Sequence, residues 1–221
     1  MIYRCNTMFT GDKKSFELLL ENTPHIRKPD RRLEQYETPP VIAAHMLWQA
    51  LLRGDLEGRD VADLGCGSLR LGLGAYFLGA NRVLAIDIDK EQLMLNEEYL
   101  YEKKITRITQ IHGDVREISL RNIDTIVMNP PFGVYPPNRG IDLFFLRKAL
   151  EIAGTAVYTI HKYSPRLDAL VETLASGYGF RIVWREILDF PIPALFETHR
   201  RKIYRVKTVF YILKRRTGEE R

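Results

Sequence analysis

The sequence predicts an α/β protein, a doubly wound and mostly parallel sheet that closes in an antiparallel hairpin. Three observations carry this expectation. Short apolar strand patterns alternate with helical patterns from residue 61 onward, the order that parallel sheets built from strand–helix–strand units show. Turns rich in glycine or acid follow the first two strands, at Asp63-Leu64-Gly65-Cys66-Gly67 and Ala85-Ile86-Asp87-Ile88-Asp89, where open α/β sheets hold their ligands. The last two strand patterns, 180–187 and 203–213, have no helical pattern between them, so they must pair antiparallel.

The elements follow in order. Residues 1–32 form a polar, basic lead-in whose one helical signal is Phe16, Leu19 and Leu20 at i, i+3 and i+4. A longer helix starts at Pro39, runs through Ile42, Ala43, Met46, Leu47 and Ala50, and stops before Gly54. A strand over 61–64 leads into a helix over 69–78, and a strand over 82–87 into a helix over 90–102. Strands over 107–112 and 123–128 precede a helix over 141–153 and a fifth strand over 155–160. Ser164-Pro165 is expected to open the next helix, with proline at its first position. With the closing pair this makes a seven-stranded sheet, in which the third strand lies at an edge in the usual order of such folds. The domain is expected over 33–216, with 217–221 a charged tail.

Composition bounds the function. At 45% apolar and 28% charged residues the chain is ordinary for a globular domain of its 221 residues. Its apolar runs fall far short of the roughly 18 residues that a membrane span needs, so no membrane is expected as a partner. The first eight residues contain no apolar stretch of the signal-peptide kind. Cys5 and Cys66 are too few for a disulfide framework or a four-cysteine metal site, so no metal is expected and reduced thiols point to a cytoplasmic setting. The net charge of +5 is unevenly spread. From Thr198 to Gly218 there is no acid, while Arg200, Arg201, Lys202, Arg205, Lys207, Lys214, Arg215 and Arg216 are basic, and Arg27, Lys28, Arg31 and Arg32 cluster before the core. Such patches suit a phosphate backbone.

Asn129-Pro130-Pro131-Phe132 directly follows the fourth strand. Two prolines stiffen the strand tip, because each fixes its own φ and pushes the preceding residue into extended backbone. The Asn129 amide oxygen and the Pro130 carbonyl are then two acceptors beside an aromatic ring. That arrangement suits a planar group with an exocyclic NH₂, such as adenine. On the other side, Asp87 lies 22 residues beyond Gly65 at the end of the second strand, where a carboxylate can bond both hydroxyls of a ribose. A dinucleotide fingerprint would want glycine at position 70, which is Arg70. Asp63 is unwelcome near a pyrophosphate and useful near an ammonium group. Asp114 after the third strand can accept from an adenine amino group. Acid-x-Gly-x-Gly followed by a ribose-binding acid is the pattern of S-adenosylmethionine enzymes. Leu69 stands where many of them carry a further glycine.

Read together, Leu33-Glu-Gln-Tyr-Glu-Thr-Pro39, Ala62-Asp-Leu-Gly-Cys-Gly67, Asp87-Ile-Asp89, Asn129-Pro-Pro-Phe-Gly133, Thr155-Ala-Val-Tyr158 with His161-Lys162, and Phe196-x-x-His199-Arg-Arg-Lys202 resemble a narrower family. These are the methyltransferase-like proteins of archaea and eukaryotes that methylate N6 of an adenosine in small-subunit ribosomal RNA. The resemblance spans about 15–213 and implies a Rossmann-like class I methyltransferase fold. By it, Gln35, Tyr36 and Thr38 close over S-adenosylmethionine together with Gly65, Gly67, Ser68, Asp87, Ile88, Asp114 and Val115. Gln35 would offer its amide to the cofactor's carboxylate, and Thr38 would cap the following helix.

Asn129 and the Pro130 carbonyl would act on the amino nitrogen, and Phe132 would stack on the base, a contact worth roughly 1–3 kcal/mol. Lys162, His199, Arg200, Arg201 and Lys202 would hold RNA phosphates, in free small-subunit rRNA or in a pre-ribosomal particle. His161 reads as structural. The eukaryotic members work with a small zinc-binding activator protein, which implies a similar partner, and the edge position of the third strand, read from topology, predicts that it adds a strand alongside 107–112. Other substrates with a planar amino nitrogen are DNA adenine and protein glutamine, whose enzymes usually carry an extra domain. The alternative from another class is a non-catalytic RNA-binding subunit, and intact Asn129 and Asp87 argue against it.

Overall fold

The computed structural model describes residues 8–193 and 203–217. Helix α1 (Lys13–Glu21) is capped by Asp12, whose carboxylate accepts from the Ser15 N–H at 2.8 Å. Then come α2 (Pro40–Leu52), β1 (Asp60–Leu64), α3 (Arg70–Phe77), β2 (Arg82–Asp87), α4 (Lys90–Glu102), β3 (Ile108–His112) and β4 (Ile123–Met128). The chain continues through α5 (Ile141–Ile152), β5 (Ala153–Lys162), α6 (Leu167–Gly177), β6 (Phe180–Pro193) and β7 (Ile203–Arg215). The seven strands form one sheet in the order β3-β2-β1-β4-β5-β7-β6. Pairing is parallel from β3 to β5 and antiparallel on both sides of β7. The expected fold class is the observed one, a doubly wound, Rossmann-like and mostly parallel seven-stranded sheet with an antiparallel C-terminal hairpin.

Alternation along the strands divides the core between two faces. Val61, Val83 and Val127 pack with Phe16, Leu47 and Leu73 of the first helices, while Ala62, Leu64 and Ile126 pack with Leu146 of α5 and Val171 of α6. The contact of α3 with α2 is close because Gly74 has no side chain. A Cβ there would lie 2.3 Å from Leu47 Cδ1.

Several local features differ from expectation. Strand β5 continues through His161 and Lys162, which pair with Val209 and Thr208 of β7, so these two residues belong to the strand and do not follow it. Pro165 lies in a turn two residues before α6, with the Leu167 N–H donating to the Ser164 carbonyl at 3.1 Å. Helix α2 takes no side-chain cap from Thr38. The last two strands are longer than their apolar patterns. Pairing of β5 with β7 ends at Lys162–Thr208, yet β6 and β7 pair onward from Asp189–Lys207 to Pro193–Ile203. At roughly 3.4 Å per residue, this two-stranded ribbon projects past the carboxyl end of β5.

Candidate active site

The order of the sheet reverses between β1 and β4, so the connections after these strands leave on opposite faces and open a crevice at their carboxyl ends. A cleft of about 1150 Å³, its open mouth included, lies there. It gathers residues 34–38, the β1 turn, the tip of β2, the β3 turn and the tip of β4. Gln35, Tyr36, Thr38, Asp63, Gly65, Gly67, Ser68, Asp87, Ile88, Asp114, Val115, Asn129 and Pro131 all line it. Thirteen of the fifteen residues expected for cofactor and acceptor therefore meet in one place. Pro130 and Phe132 stand behind the wall, both buried.

The β1 turn is shaped by left-handed backbone. Gly65 has φ +70 and Gly67 φ +47. A Cβ at Gly65 would meet the Phe145 ring at 3.1 Å. Leu69, where many such enzymes carry a glycine, itself adopts the left-handed φ 64, ψ 13 and caps α3. Such a conformation strains a residue with a side chain, and full burial of Leu69 holds it. Arg70 does not crowd the turn. Its guanidinium is buried and turned away, donating to the carbonyls of Leu20 at 3.2 Å and Thr38 at 2.7 Å and pairing with Glu37 at 3.1 Å.

Two buried carboxyls sit beneath the cleft. Asp87 Oδ2 accepts from the Gly67 N–H at 2.7 Å and Oδ1 from the Asp89 N–H at 2.9 Å. Burial pushes this carboxyl up. Each oxygen retains acceptor capacity, which suits a pair of hydroxyls. Asp63 is 1% exposed and accepts from the Gly72 N–H at 2.7 Å. Burial pushes it up to about 7, the state of an acid waiting for a cation. Asp114 differs from expectation, because its two oxygens clasp Arg116, which holds the carboxyl below its ordinary range. Gln35 also differs. Its Nε2 donates to Asp89 Oδ2 at 2.6 Å and its Oε1 accepts from the Asp30 N–H at 2.7 Å, so it ties the segment over the β2 tip and does not present a free amide.

Asn129 closes the other wall. Its Nδ2 donates to Thr38 Oγ1 at 3.1 Å and to the Tyr36 carbonyl at 3.5 Å. Its Oδ1 is buried and has no hydrogen-bond partner among the described residues. A buried amide oxygen without a donor costs about 1–3 kcal/mol, and at a cleft wall a ligand's N–H can supply that donor. Phe132 does not offer a free face as the sequence suggested. It is 6% exposed and meets Phe190 of the ribbon edge-on, with ring centroids 5.4 Å apart at 86°.

The remaining expectations divide. Lys162 is exposed at the carboxyl edge of β5, on the same side of the sheet as the cleft. His199, Arg200, Arg201 and Lys202 lie outside the described residues, in the connection that the ribbon carries. His161 is fully buried between Asp142 Oδ2 at 3.2 Å and Thr159 Oγ1 at 3.0 Å, a structural position. Sequence reasoning missed Glu34, Arg116, Asn138 and Phe145, all of which line the cleft. Glu34 and Arg116 were visible in or beside quoted motifs. Nothing local marks Asn138 or Phe145, which reach the cleft only through the fold.

The methyltransferase small domain family model matches residues 42–150. The rRNA N(6)-adenosine-methyltransferase METTL5 of Danio rerio is 33% identical over 201 residues, which cover 89% of this chain and 96% of that protein. Its Drosophila melanogaster counterpart is 32% identical over 206 residues, 90% of this chain and 94% of that one. A solved structure of a candidate RNA methyltransferase from Pyrococcus horikoshii superposes with a TM-score of 0.85 at 35% identity, covering 95% of this chain and 100% of that chain. Relatives above 30% identity that align over nearly the whole of both chains fix the conclusion that the geometry of the cleft had suggested, and the chain belongs to the rRNA N(6)-adenosine-methyltransferase METTL5 family.

Proposed function

We propose that this protein methylates N6 of an adenosine in small-subunit ribosomal RNA, using S-adenosylmethionine. The unpartnered Oδ1 of Asn129 carries the proposal. The amide cannot turn that oxygen away without giving up its Nδ2 bonds to Thr38 and Tyr36, so the acceptor is fixed before substrate arrives. Bound cofactor supplies an electrophilic sulfonium methyl. Asp87 would hold its ribose, and Asp63 would face its ammonium group.

The amino nitrogen of adenine is a poor nucleophile because its lone pair is delocalised into the ring. Asn129 Oδ1 would accept one of its hydrogens, draw it toward tetrahedral geometry and hold it in place, while Pro130, behind the wall, would fix the backbone of the tip and not meet the base. Such placement can supply several kcal/mol of a barrier. No base need act before attack, since alkylation itself makes the nitrogen acidic. Phe132, buried against Phe190, would set the shape of the tip from behind. The base must leave its stack to enter, and Lys162 with the basic ribbon residues Arg205 and Lys207, both exposed, would hold the flanking phosphates. A small zinc-binding activator protein is proposed as partner at the free edge of β3.

Asn129→Ala is expected to lower turnover at least a hundredfold with cofactor affinity within about twofold of the parent. Asp87→Ala is expected to do the reverse, weakening the cofactor by loss of charge-assisted bonds. Methylation of rRNA, read by mass spectrometry of nucleosides, and calorimetry with S-adenosylmethionine separate the two effects. Near-normal turnover by the Asn129 variant would remove the central claim.

A further inference from the structure

Three successive residues of the segment over the cleft reach three different parts of the site. Gln35 binds Asp89 at the β2 tip, the Tyr36 carbonyl binds Asn129 at the β4 tip, and Glu34 binds the loop that follows the Asn-Pro-Pro-Phe tip. Glu34 Oε2 accepts from the Val134 N–H at 3.1 Å, and Oε1 accepts from the Tyr135 N–H at 2.9 Å and from Asn138 Nδ2 at 3.2 Å. Asn138 Nδ2 also donates to the Arg32 carbonyl at 2.7 Å.

Glu34 is 6% exposed, and its carboxylate is satisfied by the loop's own amide groups. Successive backbone N–H groups make a cradle for an anion. Here the anion is a side chain from a segment a hundred residues away in sequence. Glu34 is moreover held at φ 50, ψ 45, a left-handed conformation that non-glycine residues seldom adopt and that costs of order 1 kcal/mol. The loop it grips is tightly folded. Gly133 turns with φ +67, and a Cβ there would press on the Asn138 carbonyl oxygen at 3.1 Å and the Gly140 nitrogen at 3.3 Å.

We infer that Glu34 is a positioning residue that makes the order of the acceptor loop, residues 133–140, depend on occupancy of the cofactor cleft. Glu34 and Asn138 both line that cleft, and Gln35 is tied to the strand tip that carries Asp87. A ligand that steadies residues 34–38 therefore steadies the loop through Glu34, which lowers the ordering cost met by the acceptor. Cofactor and acceptor then bind with positive cooperativity. The inference rests on the cofactor assignment above but not on which nucleoside is methylated.

The test is hydrogen exchange of the full chain with and without S-adenosylhomocysteine, followed by steady-state kinetics. In the parent, ligand is expected to slow exchange at the amides of Val134, Tyr135 and Asn138, those that residues 134–138 carry besides Pro136 and Pro137, as well as at 63–68 and 87–89. In Glu34→Ala the slowing at 134–138 should disappear while that at 63–68 and 87–89 persists, and the KM for RNA should rise about tenfold with kcat changed less than threefold. Glu34→Gln, whose amide oxygen can still accept from Tyr135 and Asn138, should recover much of the protection. Asn138→Ala, which removes one donor and leaves the carboxylate, should show an intermediate loss. Ligand-dependent protection of 134–138 that is the same in Glu34→Ala as in the parent would overturn the inference. So would a loss of protection at all three segments together, the mark of a merely destabilised fold. A chain that showed the coupling but methylated no adenosine would instead sink the substrate assignment and leave Glu34's role standing.

Discussion

Asp63 shows at residue scale how burial prepares the cleft for its ligand. It accepts a hydrogen bond from the Gly72 N–H, and burial, with the nearby Asp87 charge adding to it, raises the carboxyl to about 7. An unfolded aspartate titrates near 3.9. Between those values the folded chain holds a proton that the unfolded chain has lost, so stability should fall as pH rises from about 4 to about 7 and level off beyond. A cation bound beside Asp63 favours the carboxylate, so S-adenosylmethionine should bind more tightly at pH 8 than at pH 6 and release a proton near pH 7. Calorimetry in buffers of different ionisation enthalpy reads both effects. Asp63→Asn, which keeps an oxygen for Gly72, should flatten the pH dependence and weaken binding at pH 8 by roughly tenfold. Equal parental affinity at pH 6 and 8 would refute the role. This acid was legible in sequence because it stands two residues before Gly65. The pairing of Asn129 with Thr38 was not, because those residues are 91 positions apart and only the closed sheet brings them together.

At the scale of elements, strand β3 pairs with β2 on one side and forms the sheet's edge on the other. The Val83 N–H donates to the Arg107 carbonyl, and the Gly113 N–H to the Asp87 carbonyl, both at 2.9 Å. Odd-numbered residues thus spend their backbone groups on β2, which turns those of Ile108, Gln110 and His112 outward. Such an edge can take a strand from another chain. Gln110→Pro removes an outward donor, and an edge strand tolerates proline there. If the proposed activator adds its strand along β3, this variant should fold and bind S-adenosylmethionine normally yet fail to co-purify with the activator. Recovery of the complex at parental yield would exclude that mode. The existence of each strand followed from its apolar pattern. Their ends did not. Strand β5 outruns its apolar stretch because β7 offers partners to His161 and Lys162, and the ribbon of β6 and β7 outruns β5 because each supplies the other's ladder. Those are tertiary decisions that local propensity does not encode.

For the whole molecule, the lead-in is part of the core and part of the site, although its polar composition set it apart from the domain expected at residue 33. Phe16 and Leu20 are fully buried, with Phe16 packed on Trp48 at 6.1 Å and against the space that Gly74 leaves open. The end of α1 also feeds Arg70, which donates to the Leu20 carbonyl and to Thr23 Oγ1 at 3.1 Å. The same guanidinium holds the Thr38 carbonyl and Glu37, and Thr38 in turn holds Asn129. One buried arginine thus links the lead-in to the segment over the cleft. Two variants separate packing from this linkage. Phe16→Ala should cost about 3–5 kcal/mol of stability, the usual range for emptying a buried aromatic site. The molecules that remain folded should bind S-adenosylmethionine with near-parental affinity. Deletion of residues 1–24 removes the packing and two of Arg70's partners together, so it should lower the unfolding midpoint further and weaken the cofactor as well, because residues 37 and 38 lose their support. Chemical denaturation and calorimetry measure the two quantities independently. A deletion variant with parental affinity and midpoint would show the lead-in to be an appendage, and a Phe16 variant that lost affinity as fully as the deletion would place the linkage in packing and not in Arg70.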